Sequence, residues 1–179
     1  MVRLIGERIY LGTLEREHCK TFEDEIEYDY SNPNGQIHAF LSIEKSDDWF
    51  ERIKEKQGTS NFWLGVFLNN GTIIGYIELY NIDDWNRSCS LFMQFSKLEY
   101  RNKGYGKEVL KLVLNHVFFH LGIERISVAT FEINISAQKL LEKCGFKLEG
   151  KERKAYYFAG KKYDRYTYGL LVDEYKKME

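Results

Sequence analysis

The spacing of apolar residues changes several times along the chain, and each change marks an element. Arg8 to Leu14 reads as a first strand. Glu15 to Tyr30 is mostly polar, with Cys19, Phe22 and Ile26 at helical spacing, and predicts a helix. Ser46, followed by Asp47 and Asp48, reads as the start of a second helix leading into Trp49, Phe50 and Ile53. Asn61 to Leu68 is aromatic and β-branched, and the turn Asn69-Asn70-Gly71 joins it as a hairpin to Thr72–Asn81. Ser88 to Ser96 alternates polar and apolar residues as a further strand. The period then lengthens. Val109, Leu110, Val113, Val117 and Leu121 fall on one helical face that ends before Gly122. Glu124–Phe131 reads as a strand and Ile135–Cys144 as a short helix closed by Gly145. Phe146–Tyr157 and Lys162–Val172 form a last hairpin turned at Ala159-Gly160.

This order is an α/β (α+β) layout around one mostly antiparallel sheet, not a doubly wound parallel one. The 179 residues suit a single domain over the whole chain. No apolar run reaches the roughly 18 residues that a membrane span needs, and Met1–Tyr10 lacks a signal-peptide core. Cys19, Cys89 and Cys144 are odd in number and scattered, which argues against a disulfide framework or a zinc site and for a reducing cytoplasm. A net charge of −1 makes no case for nucleic acid or membrane partners. The charge is uneven, however. Glu15 to Glu55 holds 12 acidic and 5 basic residues, whereas Lys151 to Arg165 holds 6 basic and 2 acidic. An acidic rim of that kind would attract a cationic small molecule; the alternative is a pair of solvated helix faces.

The segment Arg101-Asn102-Lys103-Gly104-Tyr105-Gly106-Lys107 lies between a strand and the long amphipathic helix. Two near-adjacent glycines let backbone N–H groups approach an anion closely. The helix behind them offers unpaired donors and the positive end of its dipole. Arg101, Lys103 and Lys107 add formal charge, so the segment is a pyrophosphate cradle in physical terms. A dinucleotide GxGxxG fails because position 109 is Val109, and a Walker A loop fails because Arg101 stands where its first glycine belongs.

With those residues in view, Arg-x-x-Gly-x-Gly before a long helix resembles the acetyl-CoA loop of the GNAT superfamily of N-acetyltransferases. Asn134 precedes the Gly145-Phe146 pair by 11 residues, which resembles that family's pantetheine-binding asparagine and the start of its next strand. Leu148-Glu149-Gly150, Gly160 and Leu170-Leu171 are similar to the C-terminal hairpin of the branch holding ribosomal-protein and polyamine acetyltransferases. The resemblance runs from about Arg8 to Glu174. It implies a mixed sheet of about seven strands flanked by about four helices, with two strands splayed to form an acyl-CoA cleft. It also implies that backbone groups near Phe92, Met93 and Gln94 hold the acyl-pantetheine, and that a homodimer forms through the hairpin.

The activity implied is acetyl transfer from acetyl-CoA, without a metal, to a primary amine in a ternary complex. The acceptor stays open between a polyamine or other cationic amine, a protein N-terminus and a nucleotide-linked amino sugar. Glu78, beside the expected cleft, is the candidate general base, with Asp83 and Asp84 behind it. The family's usual acids are missing: Leu141 and Ala137 occupy their places, and Ser136 is the neighbouring hydroxyl. Those two losses also fit a second class of protein, an acyl-CoA-binding module that senses or scaffolds without turnover. Cys144 reads as a packed small residue, and the aromatics from Tyr156 to Tyr168 read as core or a dimer surface. His116 and His120 lack a third ligand, so no metal is expected.

Overall fold

Period-two segments of the chain become strands of one sheet, and the period-3.6 segments become helices packed on its two faces. The computed structural model describes residues 3–27 and 43–176, and the side chains of 43–46 are left aside. The elements are β1 (Leu4–Ile5), β2 (Ile9–Thr13), α1 (Arg16–Glu25), α2 (Ile43–Lys56), β3 (Phe62–Leu68) and β4 (Ile73–Asp83). They continue with β5 (Ser88–Phe95), α3 (Tyr105–Phe119), β6 (Arg125–Phe131) and α4 (Ile135–Lys143). The chain then forms β7 (Lys147–Phe158), β8 (Lys161–Leu171) and α5 (Val172–Lys176), and a single 3₁₀ turn, Leu98–Tyr100, precedes α3. The sheet order is β1-β2-β3-β4-β5-β6-β8-β7. Every neighbouring pair is antiparallel except β5–β6.

The sequence anticipated this mixed, mostly antiparallel sheet but undercounted it: the described residues carry eight strands and five α-helices. The additions are the two-residue β1 and the five-residue α5, both too short to show a period. Ser46 does not start α2, which is already under way at Ile43. The long helix begins at Tyr105, inside the glycine motif, and ends at Phe119. The loop signal around Pro33 lies outside the described residues, whereas the first helix, read from sequence as reaching Tyr30, ends at Glu25 with Ile26 as its extended C-cap.

Two cores hold the layers together. On one face, Val109, Leu110, Val113, Leu114, Val117 and Phe118 of α3 are buried against Ile9, Leu11, Ile77, Leu79, Leu91 and Ile126 of the sheet. Burying each such side chain stabilises the fold by about 1.5–3 kcal/mol, so this face anchors α3 firmly. On the other face Cys19 and Phe22 of α1 and Ile53 of α2 close over Trp63, Phe67 and Tyr76. Alternation along β4 therefore turns Ile77 and Leu79 toward α3, and Tyr76, Glu78 and Tyr80 toward the side of α1 and α2.

Candidate active site

The two parallel strands at the middle of the sheet pair only at their starts. Ser88, Cys89 and Ser90 of β5 sit opposite Arg125, Ile126 and Ser127 of β6, and no pair follows. Beyond them β5 stays bonded to β4 as far as Phe95, while β6 stays bonded to β8 as far as Phe131. The strands therefore part while each keeps its outer neighbour. Between them lies a cavity of about 540 Å³. Its walls are Leu91, Phe92 and Met93 on β5 and Val128 to Phe131 on β6, with Leu110, Asn134, Ala137, Leu140 and Leu141 closing the α3–α4 side. Glu78, Tyr80, Asn61 and Lys56 line it from the α1–α2 side. Its lining thus comes from both sides of the sheet. Phe92 and Met93 are in the wall. Gln94 is not among the lining residues and has a buried side chain.

The glycine motif sits where β5 gives way to α3. Asn102 (φ 58°) and Gly104 (φ 85°) both take the left-handed conformation, with Lys103 between them. Such alternation turns successive N–H groups toward one concavity. Gly104 is the N-cap of α3 and brings no side-chain cap, so the first-turn N–H groups of Tyr105, Gly106 and Lys107 have no intrahelical acceptor. Asn102, Lys103, Gly104 and Lys107 are exposed, leaving the concavity open to an anion. Gly106 packs behind the cavity wall and is not itself part of the lining. A Cβ there would lie 2.8 Å from Leu140 Cδ2 and 3.4 Å from Met93 Cε, both wall residues, so cradle and cavity are contiguous. Their residues fit an acyl donor with a diphosphate at one end and an extended amide-bearing arm at the other. Arg101, Asn102, Lys103, Gly104, Tyr105, Gly106 and Lys107 would hold the diphosphate, and the bare edge of β5 would receive the arm.

Glu78 is opposite Trp63 on β3 and Phe92 on β5. Its Oε1 accepts a 2.8 Å hydrogen bond from Asn61 Nδ2. Burial raises its pKa above the ordinary carboxylate value, and the bond from Asn61 opposes that shift. Asp83 and Asp84 do not join it: Asp83 accepts from Asn86 N at 2.9 Å in the β4–β5 turn, and neither lines the cavity.

Asn134 lines the cavity and caps α4. Its Oδ1 accepts from Ala137 N at 3.2 Å and from the Ser136 hydroxyl at 3.1 Å, which leaves its Nδ2 donors as the groups suited to a ligand carbonyl. Ser136 is exposed and outside the lining, whereas Ala137 and Leu141 are in it. Cys144 belongs to the core, and burial raises its thiol pKa. His116 and His120 stack at 5.6 Å, and among the described residues no three His, Cys, Asp or Glu side chains gather as a metal site. The C-terminal aromatics divide: Tyr168 and Phe158 are buried, Tyr156 stacks on the wall residue Phe131 and Tyr157 is exposed.

Part of the acidic stretch is paired locally. Arg16 pairs with Asp47 at 2.8 Å and also with Glu51, and Lys97 pairs with Glu25 at 3.1 Å. Among the described residues Glu78 is the one carboxylate lining the cavity, where Lys56 and Arg165 bring the opposite charge. Lys56, Asn61, Tyr80 and Arg165 were not singled out from the sequence. The Asn69-Asn70-Gly71 hairpin held the signal for Asn61, since its register brings residues 61–63 beside Glu78.

The site is thus a sheet opened between two parallel strands, with a glycine-bearing helix start packed against the wall of the gap. The chain belongs to the family described as "Acetyltransferase (GNAT) domain", which matches residues 8–147, and it is an N-acetyltransferase enzyme. It is 26% identical over 171 residues to the SPbeta prophage-derived uncharacterized N-acetyltransferase YokL of Bacillus subtilis, covering 96% of this chain and 94% of that one. Over 76 residues it is 33% identical to the spermine/spermidine N(1)-acetyltransferase of the same organism, covering 42% of this chain and 50% of that one. The fold superposes with a TM-score of 0.81 on the spermidine N-acetyltransferase of Vibrio cholerae solved with CoA and spermine, at 19% identity, covering 96% and 99% of the two chains.

Proposed function

We propose that this enzyme carries an acetyl group from acetyl-CoA to a primary amine by direct attack within a ternary complex. The observation that carries the reading is the loss of pairing beyond Ser90 and Ser127, at a gap whose wall residues Leu140 and Met93 pack against the glycine-bearing start of α3. The donor enters from the α3–α4 side and the amine from the α1–α2 side. Bound acetyl-CoA supplies an activated acyl group as a thioester; the rest is done by the protein. Amides of the loop 101–107 hold the diphosphate, Asn134 Nδ2 holds the arm, and backbone N–H at Phe92 or Met93 stabilises the oxyanion that forms on attack. Holding both reactants in one cleft supplies the proximity that replaces a covalent enzyme intermediate.

An alkyl amine with a pKa near 10.4 is neutral in only about one molecule in 10³ at pH 7, which adds about 4 kcal/mol to the barrier, whereas an α-amino group with a pKa near 8 adds only about 1 kcal/mol. Glu78 faces the amine side of the cavity, and its burial makes it a stronger base than an exposed carboxylate. It is assigned as general base. No acid is assigned: Ala137 and Leu141 have no proton to give, and the leaving thiolate takes one from water. Arg165 is already paired with Glu152, so Glu78 and Lys56 leave the cavity without a net charge that would choose among a polyamine, a protein N-terminus and a nucleotide-linked amino sugar. The three buried free thiols suit a reducing cytoplasm.

The test is an acceptor panel of polyamines, N-terminal peptides and amino-sugar nucleotides, read by thiol release from acetyl-CoA. Turnover with one of the three amine classes is expected. Tight acetyl-CoA binding without release across the panel would turn the reading to a binding module.

A further inference from the structure

Arg8, at the entry to β2, reaches across to the cradle. Its Nη1 donates to the Lys103 carbonyl at 2.9 Å. Its Nε donates to Glu108 Oε2 at 3.0 Å, and its backbone N–H donates to Glu108 Oε1 at 2.8 Å. The guanidinium also lies over the Tyr105 ring, 4.9 Å from its centroid. One side chain thus binds the residues on both sides of the N-cap. The site is tight as well: a Cβ added at Gly104 would lie 3.2 Å from Arg8 Nη2.

We infer that Arg8 is a positioning residue that aims the amides of the cradle at the anion. The inference rests on the reading that the loop 101–107 holds the diphosphate of coenzyme A. In a planar trans peptide the carbonyl and the following N–H point in opposite directions. Fixing the Lys103 carbonyl on Arg8 therefore turns the Gly104 N–H away from Arg8, onto the side open to solvent. Arg8 does a second thing. Glu108 stands in the first turn of α3, and its negative charge there would repel an incoming diphosphate. The ion pair with Arg8 neutralises that charge. Burial pushes the Glu108 carboxyl upward, yet the bonds from the Arg8 backbone and guanidinium and from Ile9 N–H hold it below the ordinary value. It therefore stays ionised and keeps Arg8 in place. Lysine could not do both, because one ammonium group replaces a planar fork that reaches the carboxylate and the carbonyl together.

The experiment is calorimetric titration of the wild-type chain, Arg8→Ala and Arg8→Lys with coenzyme A and, separately, with pantetheine, which lacks the diphosphate. Circular dichroism verifies folding; the Arg8 side chain is 49% exposed, so its loss opens no core. Arg8→Ala is expected to weaken coenzyme A binding roughly ten- to a hundredfold, as loss of a charge-assisted bond does, and to leave pantetheine affinity unchanged. Arg8→Lys is expected to fall between. Equal losses for both ligands would mean a general structural role, and an unchanged coenzyme A affinity would mean no role; either overturns the inference. A wild-type chain that binds the two ligands alike would overturn the cradle itself, and the clamp with it.

Discussion

Glu78 is under two opposed demands. As a base it has to be ionised, yet its position on a central strand over the cavity disfavours the charge. A carboxyl whose folded pKa is raised binds its proton more readily in the folded than in the unfolded state. It therefore lowers stability progressively as pH rises from the unfolded pKa through the raised folded one, and the penalty is complete above both. Glu78→Gln removes that penalty. At neutral pH the variant is expected to unfold at the same temperature as wild type or higher, while kcat falls by about 10²–10⁴. Coenzyme A affinity should not move, and an unchanged kcat would remove Glu78 from the mechanism. The acid limb of the kcat/KM profile adds a finer reading. Activity is lost as pH drops through the Glu78 pKa, and Asn61→Leu, which deletes the bond that lowers it, should shift the limb to higher pH. Glu78 was legible as a candidate because the hairpin placed it on a strand. Its environment was not, because Asn61, Lys56 and Phe92 reach it from three separate elements.

The short helix α4 shows how one residue serves two levels. Asn134 starts it by capping Ala137 N, and the same side chain lines the cavity. Asn134→Ala should lower stability by about 0.5–2 kcal/mol, the usual worth of an N-cap, seen as a lower thermal midpoint, and should also weaken coenzyme A binding. Ser136→Ala, two residues on but facing outward, should change stability by less than about 0.5 kcal/mol and leave kcat at the wild-type value. A large loss of rate in Ser136→Ala would restore its hydroxyl as the missing acid. Elements with a clear period are legible in the amino-acid sequence itself: α3 from its apolar face, β3 and β4 from the Asn-Asn-Gly turn. The short β1 and α5 are not, since two and five residues cannot display a period. β7 is less regular than its alternation promised. Its register slips twice, between Leu148 and Gly150 and between Glu152 and Tyr156, and Lys154 adopts φ 53°.

For the molecule as a whole, charge had to be read in three dimensions. The acidic excess of residues 15–55 predicted an acidic rim, but Arg16 and Lys97 answer part of it locally. On the reading proposed above, the basic residues that count are Arg101, Lys103 and Lys107 around the cradle. Raising ionic strength from about 0.1 M to about 1 M shortens the Debye length from about 10 Å to about 3 Å. Coenzyme A binding is expected to weaken several-fold over that range and pantetheine binding to stay level. Equal salt response for both would contradict a cradle built on charge. The glycine motif announced itself because left-handed backbone and close approach select glycine, whereas Arg8 and Glu108 are 100 residues apart and neither is unusual alone. The seam at the centre of the sheet has a mechanical meaning too. Only three rungs lace β5 to β6, so the left and right portions of the sheet meet through a short hinge of hydrogen bonds and the helices that bridge them. On that same reading, a donor seated there would complete the ladder while it stays, and its departure would leave the edge of β5 bare for the next one.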